Sequence, residues 1–206
     1  MSSELILYTN PQSRGRIARW MLEEVGADYR TEIVDYATTM KEDAYRAVNP
    51  MGKVPAIVHG GKVVTECAAI CAYLAEAFPE AGLAPRAEER ADYYRWLFFA
   101  AGPVEQAVTN NWAKFEATPE QSRMLGYGSY DQAVDVLEQA VSAHAHIAGD
   151  RFTAADVYVG SQVIWGTMFG TLPKRDAFMA YHERLVARPA YRRASETDDK
   201  LMAAAA

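Results

Sequence analysis

Every stretch of this sequence that reads as a β-strand lies before Pro79, and the chain after it carries only helical patterning. Residues 5–8 (LILY) form a short apolar run ahead of the turn-forming TNPQ, as expected of a strand buried on both faces. From Ser13 the period lengthens. Ile17, Met21 and Val25, with Ala18 and Leu22 beside them, recur at helical spacing, and Gly26 follows as a C-terminal cap. Residues 29–34 (YRTEIV) give a second strand and complete a β-α-β unit, for which parallel pairing and a right-handed crossover are the rule. Residues 36–52 are polar and mixed, ending in the turn signal Asn49-Pro50-Met51-Gly52. Two more strands, 55–58 (PAIV) and 62–65 (KVVT), are separated by His59-Gly60-Gly61, the spacing of a β-hairpin. A helix follows from about Glu66, with Ile70, Leu74 and Phe78 on its apolar stripe.

The order β-α-β, loop, β-β-α is the thioredoxin topology, completed within residues 1–78. Residues 79–86, with Pro79, Gly82 and Pro85, read as a linker. Beyond it, 87–115, 119–146, 154–168 and 176–187 are rich in Ala, Leu, Glu and Arg and periodic at 3.6, with breaks at Gly149, Pro173 and Pro189. The expected fold is a thioredoxin-like α/β N-terminal domain followed by an all-α helical bundle over 87–206.

With 50% hydrophobic residues the chain has ample core material, and its formal charge of -6 argues against a basic nucleic-acid-binding face. A local cluster of Arg14, Arg16 and Arg19 reads as a solvated helix face, or as a group beside an anionic ligand. No apolar run approaches the roughly 20 residues that span a bilayer. The N-terminus, without a basic leader, reads as a first strand and not a signal peptide. Cys67 and Cys71, four apart in one helix, suit neither a disulfide nor a four-ligand zinc site, which points to a reducing, cytoplasmic setting without a structural metal.

Three local features carry chemistry. Lys53-Val54-Pro55 precedes a strand, and proline makes a cis peptide accessible. A cis bond here turns the N–H and C=O of Val54 outward as a backbone edge that an extended peptide can pair with; the plain alternative is a proline that merely starts a strand. In Thr65-Glu66-Cys67, a helix start offers N–H groups and a positive dipole end to a carboxylate, while Glu66 accepts from an ammonium group or simply caps the helix. In the loop Thr9-Asn10-Pro11-Gln12-Ser13, Ser13 opens the first helix, either as a plain N-cap or as a donor to a bound thiolate. Lowering a thiol pKa from about 8.5 to about 6.5 takes some 2.7 kcal/mol, the size of one charged hydrogen bond helped by a helix terminus.

Taken in order, these features resemble the glutathione transferase superfamily over essentially the whole chain. LYTNPQSRGRIARWMLEEVG is similar to its first strand, active loop and first helix, and NPMGKVPAIVHGGKVVTECAAICAYLAEAFP to its glutathione-binding half. The resemblance implies that Val54 and Pro55 both contact glutathione, Val54 by pairing with its cysteinyl backbone. It further implies that Glu66 and Cys67 hold the γ-glutamyl group, with Asn49 and Lys53 on the glycyl side. Cys67 stands where the family usually has Ser; a thiol is a weaker donor, which implies a somewhat weaker grip. Tyr8 lies too far ahead of Arg14-Gly15-Arg16 to match the tyrosine-type classes without a gap. Ser13 falls where serine- and cysteine-type bacterial classes carry their functional residue. Asn10 is the second candidate, with Thr9, Tyr8 or backbone donors as further alternatives.

In the helical part, Thr153 and Asp156 form a capping box with Phe152 and Val157 as hydrophobic staple, which makes Asp156 a folding residue. Tyr93, Tyr94, Trp96, Phe98, Phe99, Trp112 and Phe115 crowd one helix, and Trp165, Met168 and Phe169 follow the box. Most belong to the core, while the resemblance implies that some, Phe99, Trp112, Trp165 and Phe169 among them, line a pocket for a hydrophobic electrophile. It also implies a detoxifying transferase, a cytoplasmic homodimer, and glutathione as cosubstrate with no metal or prosthetic group and no nucleic-acid or membrane partner. A glutathione-dependent peroxidase, disulfide reductase, isomerase or dehalogenase, and a non-enzymatic binding module, remain as alternatives on the same fold.

Overall fold

The computed structural model describes residues 4–204. Contacts divide the chain into two compact units, one running to Ala84 and resuming at Ala187, the other Pro85–Val186.

The first unit is built on a four-stranded sheet in the order β2-β1-β3-β4, with β1 at Leu5–Thr9, β2 at Arg30–Ile33, β3 at Ala56–His59 and β4 at Lys62–Thr65. β2 pairs parallel to β1 and β3 antiparallel to it, so this is the expected thioredoxin-like topology. Gly60 and Gly61, at φ 55° and 76°, close the β3–β4 hairpin in a left-handed conformation that side chains with a Cβ rarely adopt. Helices α1 (Gly15–Val25) and α3 (Cys67–Ala77) cover one face of the sheet, burying Leu5, Leu7, Ile17, Met21, Leu22, Ile70 and Leu74. On the other face the short helix α2 (Asp43–Arg46) helps close a smaller core of Val34, Met40 and Tyr45, against which Tyr8, Val48 and Val54 pack.

The return of the chain to this unit differs from the sequence expectation, which assigned everything from 87 to 206 to the helical domain. A helix, α10 (Pro189–Ala204), was absent from the expected elements and packs along α1. Its contacts are largely charged and so leave little trace in hydropathy. Arg19 and Asp198 form an ion pair at 2.9 Å with both side chains almost fully buried, and Arg19 also donates to Tyr29 and Thr31. Arg16 meets Asp199, Glu23 meets Arg193 and Glu24 meets Arg188 along the same seam, with the Trp20 and Tyr191 rings edge to face. The arginine cluster is therefore no solvated helix face: only Arg14 is exposed.

The second unit contains helices only. α4 (Arg90–Phe99) runs through a π-helical turn at Ala100–Val104 into α5 (Glu105–Trp112), and Pro103, which lacks an N–H, lies within that turn. α6 (Pro119–Met124), α7 (Tyr130–Ala143), α8 (Ala154–Phe169) and α9 (Asp176–Val186) follow; the expected helix over 119–146 is thus divided, with Gly126 and Gly128 in the connection. α8 is buried along most of its length, as its nearly all-apolar sequence requires. The expected capping box stands at its start. Asp156, with no exposed surface, accepts from the N–H of Thr153 and of Ile147 at 2.8 Å each, and from the Tyr181 hydroxyl at 2.8 Å.

Candidate functional site

The six residues expected to contact glutathione, with Asn10 and Ser13, all belong to the first unit. The peptide bond between Val54 and Pro55 is cis. Upstream, the Lys53 carbonyl accepts from Tyr45 Oη at 2.6 Å and from Asn49 Nδ2 at 2.8 Å, and Asn49 Oδ1 accepts from the Met51 N–H. Asn49, 4% exposed, is therefore a loop-bracing residue, whereas the Lys53 side chain is exposed. Burial pushes the Tyr45 hydroxyl up to about 12, so it stays protonated and donates at any physiological pH. The strand ladder begins at Ala56, and among the described residues nothing hydrogen-bonds the N–H or C=O of Val54. An open backbone edge thus sits on a braced loop.

At the end of β4, Glu66 has φ 65°, in the left-handed region where a non-glycine residue stores about 1–3 kcal/mol of strain. The turn lifts its exposed side chain at the head of α3, which no side chain caps. The first-turn N–H groups of Ala68 and Ala69 have no protein partner among the described residues, so a positive helix end remains open to an anion. Cys67 is 8% exposed, and its thiol donates to the Arg14 carbonyl at 3.4 Å. Here the thiol links the start of α3 to the loop ahead of α1. Cys71 is fully buried, and burial raises its thiol well above the usual range, which leaves it unreactive.

The active loop is wired differently from a simple helix start. α1 begins at Gly15, and Ser13 lies two residues ahead of it. The Ser13 hydroxyl donates to the Asn10 carbonyl at 2.6 Å and accepts from the Gly15 N–H at 2.9 Å. The N–H groups of Gln12, Ser13 and Arg16 are also engaged within the loop, by Asn10 Oδ1, the Asn10 carbonyl and the Ser13 carbonyl. The amides of this loop are thus engaged internally. Unlike an amide, the half-buried Ser13 hydroxyl can rotate about its Cβ–Oγ bond and exchange the partner it donates to. Asn10, 9% exposed, donates its side-chain amide to the Val34 carbonyl at 3.1 Å, tying the loop to the residue just past β2. Thr9 is fully buried, and a Cβ on Gly15 would overlap its hydroxyl, which explains the glycine of Arg14-Gly15-Arg16. Tyr8 lies in the α2-side core, its ring 5.7 Å from that of Tyr45.

A cavity of about 410 Å³ opens beside this loop, lined by Asn10, Pro11, Gln12, Ile33, Asp35, Tyr36, Leu201, Met202 and Ala204. Its α10 wall was missed in the sequence, because α10 itself was. In the second unit, Trp165 and Phe169 lie one turn apart on α8, Phe99 ends α4 and Trp112 ends α5. Trp112 and Phe169 are 74% and 73% exposed, whereas Phe99 is half-buried with its ring edge to face with Trp96.

A thioredoxin-like sheet with a cis-proline loop, joined in one chain to an all-helical unit, defines the class. The family profile described as "Glutathione S-transferase, N-terminal domain" matches residues 14–77. Glutathione S-transferase GstA of Escherichia coli O157:H7 is 28% identical over 189 residues, covering 89% of this chain and 93% of that one. The crystal structure of a glutathione transferase from Methylococcus capsulatus superposes with a TM-score of 0.78 at 30% identity, over 95% of this chain and 98% of that one. A sphingomonad glutathione S-transferase solved with glutathione gives a TM-score of 0.75 at 27% identity, over 94% and 98%. The chain belongs to the glutathione transferase superfamily, a superfamily of enzymes. Among the described residues, no helix is long and apolar enough to cross a membrane.

Proposed function

We propose that this chain is a glutathione transferase of the serine type, acting as a cytoplasmic homodimer on a hydrophobic electrophile. The observation that carries the reading is the Val54 backbone edge, open beside a cis-proline and held by two hydrogen bonds to the preceding carbonyl. Such an edge pairs with the cysteinyl backbone of a short extended peptide. The sphingomonad relative was solved with glutathione bound, which supports the same ligand here. In this reading Glu66 receives the γ-glutamyl ammonium group, and the start of α3 at Cys67 receives its carboxylate. Lys53 faces the glycyl carboxylate, while Asn49 and Pro55 keep the loop in shape.

Ser13 turns its hydroxyl from the Asn10 carbonyl to the glutathione sulfur and stabilises the thiolate, whose proton passes to water. The thiolate then attacks an electrophilic carbon, a carbon–sulfur bond forms, and the leaving group departs with the electron pair or the adduct takes up a proton. Positioning and charge stabilisation supply this chemistry from the chain's own residues. The cavity beside the active loop and the aromatic residues Phe99, Trp112, Trp165 and Phe169 are the candidates for the acceptor's contacts. Calorimetric titration with glutathione into the millimolar range tests the reading, and an absence of binding refutes it. Parallel assays with an aryl halide, a hydroperoxide and a glutathione mixed disulfide distinguish transfer from peroxidase or reductase chemistry.

A further inference from the structure

Arg16 joins the active loop to α10. Its Nε donates to the Pro11 carbonyl at 2.6 Å, in the middle of the active loop. Its Nη2 donates to Asp199 Oδ1 at 2.7 Å and to Met202 Sδ at 3.0 Å, on the last two turns of α10. Pro11 and Met202 both line the cavity beside the loop, on different elements. A guanidinium spans this pair because it is planar and carries donors on separate edges, which a lysine ammonium on a flexible stem does not reproduce.

We propose that Arg16 is a positioning residue: it sets the separation between the active loop and the α10 wall, and so the direction of Ser13 and the shape of the acceptor cavity. This rests on the transferase reading above. The hydrogen bond at Pro11 fixes the peptide plane leading into Gln12, whose N–H closes on Asn10 Oδ1, and Asn10 in turn carries the carbonyl that holds Ser13. Arg16 touches no reacting atom in this scheme; it acts through the loop. Asp199 acts one step further out, by holding the guanidinium against α10.

The discriminating variant is the exchanged pair, Arg16→Asp with Asp199→Arg. It restores the ion pair that docks α10 and removes the donor to Pro11. Arg16→Lys, which keeps the charge and loses the fork, and Asp199→Asn complete the set. Thermal unfolding, glutathione affinity, kcat and KM for an aryl halide, and amide hydrogen exchange of the ligand-free protein are measured on each.

The exchanged pair is expected to unfold at the wild-type temperature while kcat/KM for the acceptor stays about tenfold or more below wild type. Arg16→Lys is expected to show the same loss, with glutathione affinity changed by less than about threefold. In both, the amides of Gln12, Ser13 and Gly15 exchange about tenfold faster than in wild type. Wild-type turnover in the exchanged pair or in Arg16→Lys overturns the proposal, since a purely structural role would be rescued by either. Wild-type exchange at the loop amides overturns it independently of activity. Lack of glutathione binding by the wild-type protein refutes the transferase reading instead, and the exchange measurement still decides whether Arg16 holds the loop.

Discussion

Replacing Ser13 by alanine gives the most direct reading of what the active loop does to a thiol. The donor is already occupied. To serve a thiolate, the Ser13 hydroxyl must leave the Asn10 carbonyl, to which it donates at 2.6 Å. That carbonyl keeps the Ser13 N–H at 3.0 Å, so the loss is one neutral hydrogen bond of about 1 kcal/mol rather than an orphaned acceptor. The new charge-assisted bond contributes about 1.5–3 kcal/mol, leaving a net preference for the thiolate of about 0.5–2 kcal/mol. At 1.36 kcal/mol per pKa unit, Ser13 is expected to lower the bound thiol by about one unit, roughly half of what an unoccupied donor helped by a helix terminus would give. Ser13→Ala should therefore raise the thiol pKa of bound glutathione by about one unit, followed as the ultraviolet absorbance of the thiolate against pH. Glutathione affinity should barely change, since the backbone edge at Val54 is untouched. The variant also loses the acceptor for the Gly15 N–H, at about 1 kcal/mol of stability, which thermal unfolding checks separately. An unmoved titration, in a variant that still binds glutathione, refutes the assignment of the donor.

Two further predictions concern the second unit. Asp156→Ala strips partners from the buried Ile147 N–H, Thr153 N–H and Tyr181 hydroxyl together, and is expected to destabilise the protein by about 3–5 kcal/mol in chemical denaturation; a loss below about 1 kcal/mol contradicts the folding role. His182, whose ring nitrogen meets the Thr167 hydroxyl at 2.9 Å, is held below its ordinary pKa chiefly by burial. The unfolded chain then binds the extra proton first, so stability contributed by neutral His182 is present above about pH 6.5 and falls as pH drops through that value. Denaturant midpoints measured on either side of pH 6.5 should show this decline, and His182→Gln should flatten it.

What was legible in the sequence was local. The β-hairpin is announced by its two glycines, the proline loop by Val54-Pro55, and the α8 cap by Thr153 and Asp156, each within a few residues of what it shapes. Features depending on distant partners were hidden. α10 presents Tyr191, Ala194, Asp198 and Leu201 inward, a stripe interrupted by a carboxylate whose burial makes sense only once Arg19 is known to lie opposite. For the same reason Arg19 read as solvated or ligand-facing. The hydroxyl of Ser13 was visible, but not its commitment to Asn10, because hydrogen bonding inside a loop depends on backbone angles that periodicity does not encode. Trp112 and Phe169 carry no sequence sign of their exposure, since an aromatic residue at helical spacing looks the same whether or not a neighbour covers it.

The buried Arg19–Asp198 pair joins residues 179 positions apart. On a growing chain, the thioredoxin-like sheet and α1 emerge long before the helix that neutralises Arg19 and covers Trp20. During that interval Trp20 lacks the Tyr191 ring that packs against it, the kind of transient apolar exposure that makes incomplete chains prone to aggregate. The last turns of α10 thus complete the packing of the first unit. A chain broken off before Asp198 leaves the Arg19 guanidinium without its buried counter-charge, although the sheet and the cis-proline loop are already complete.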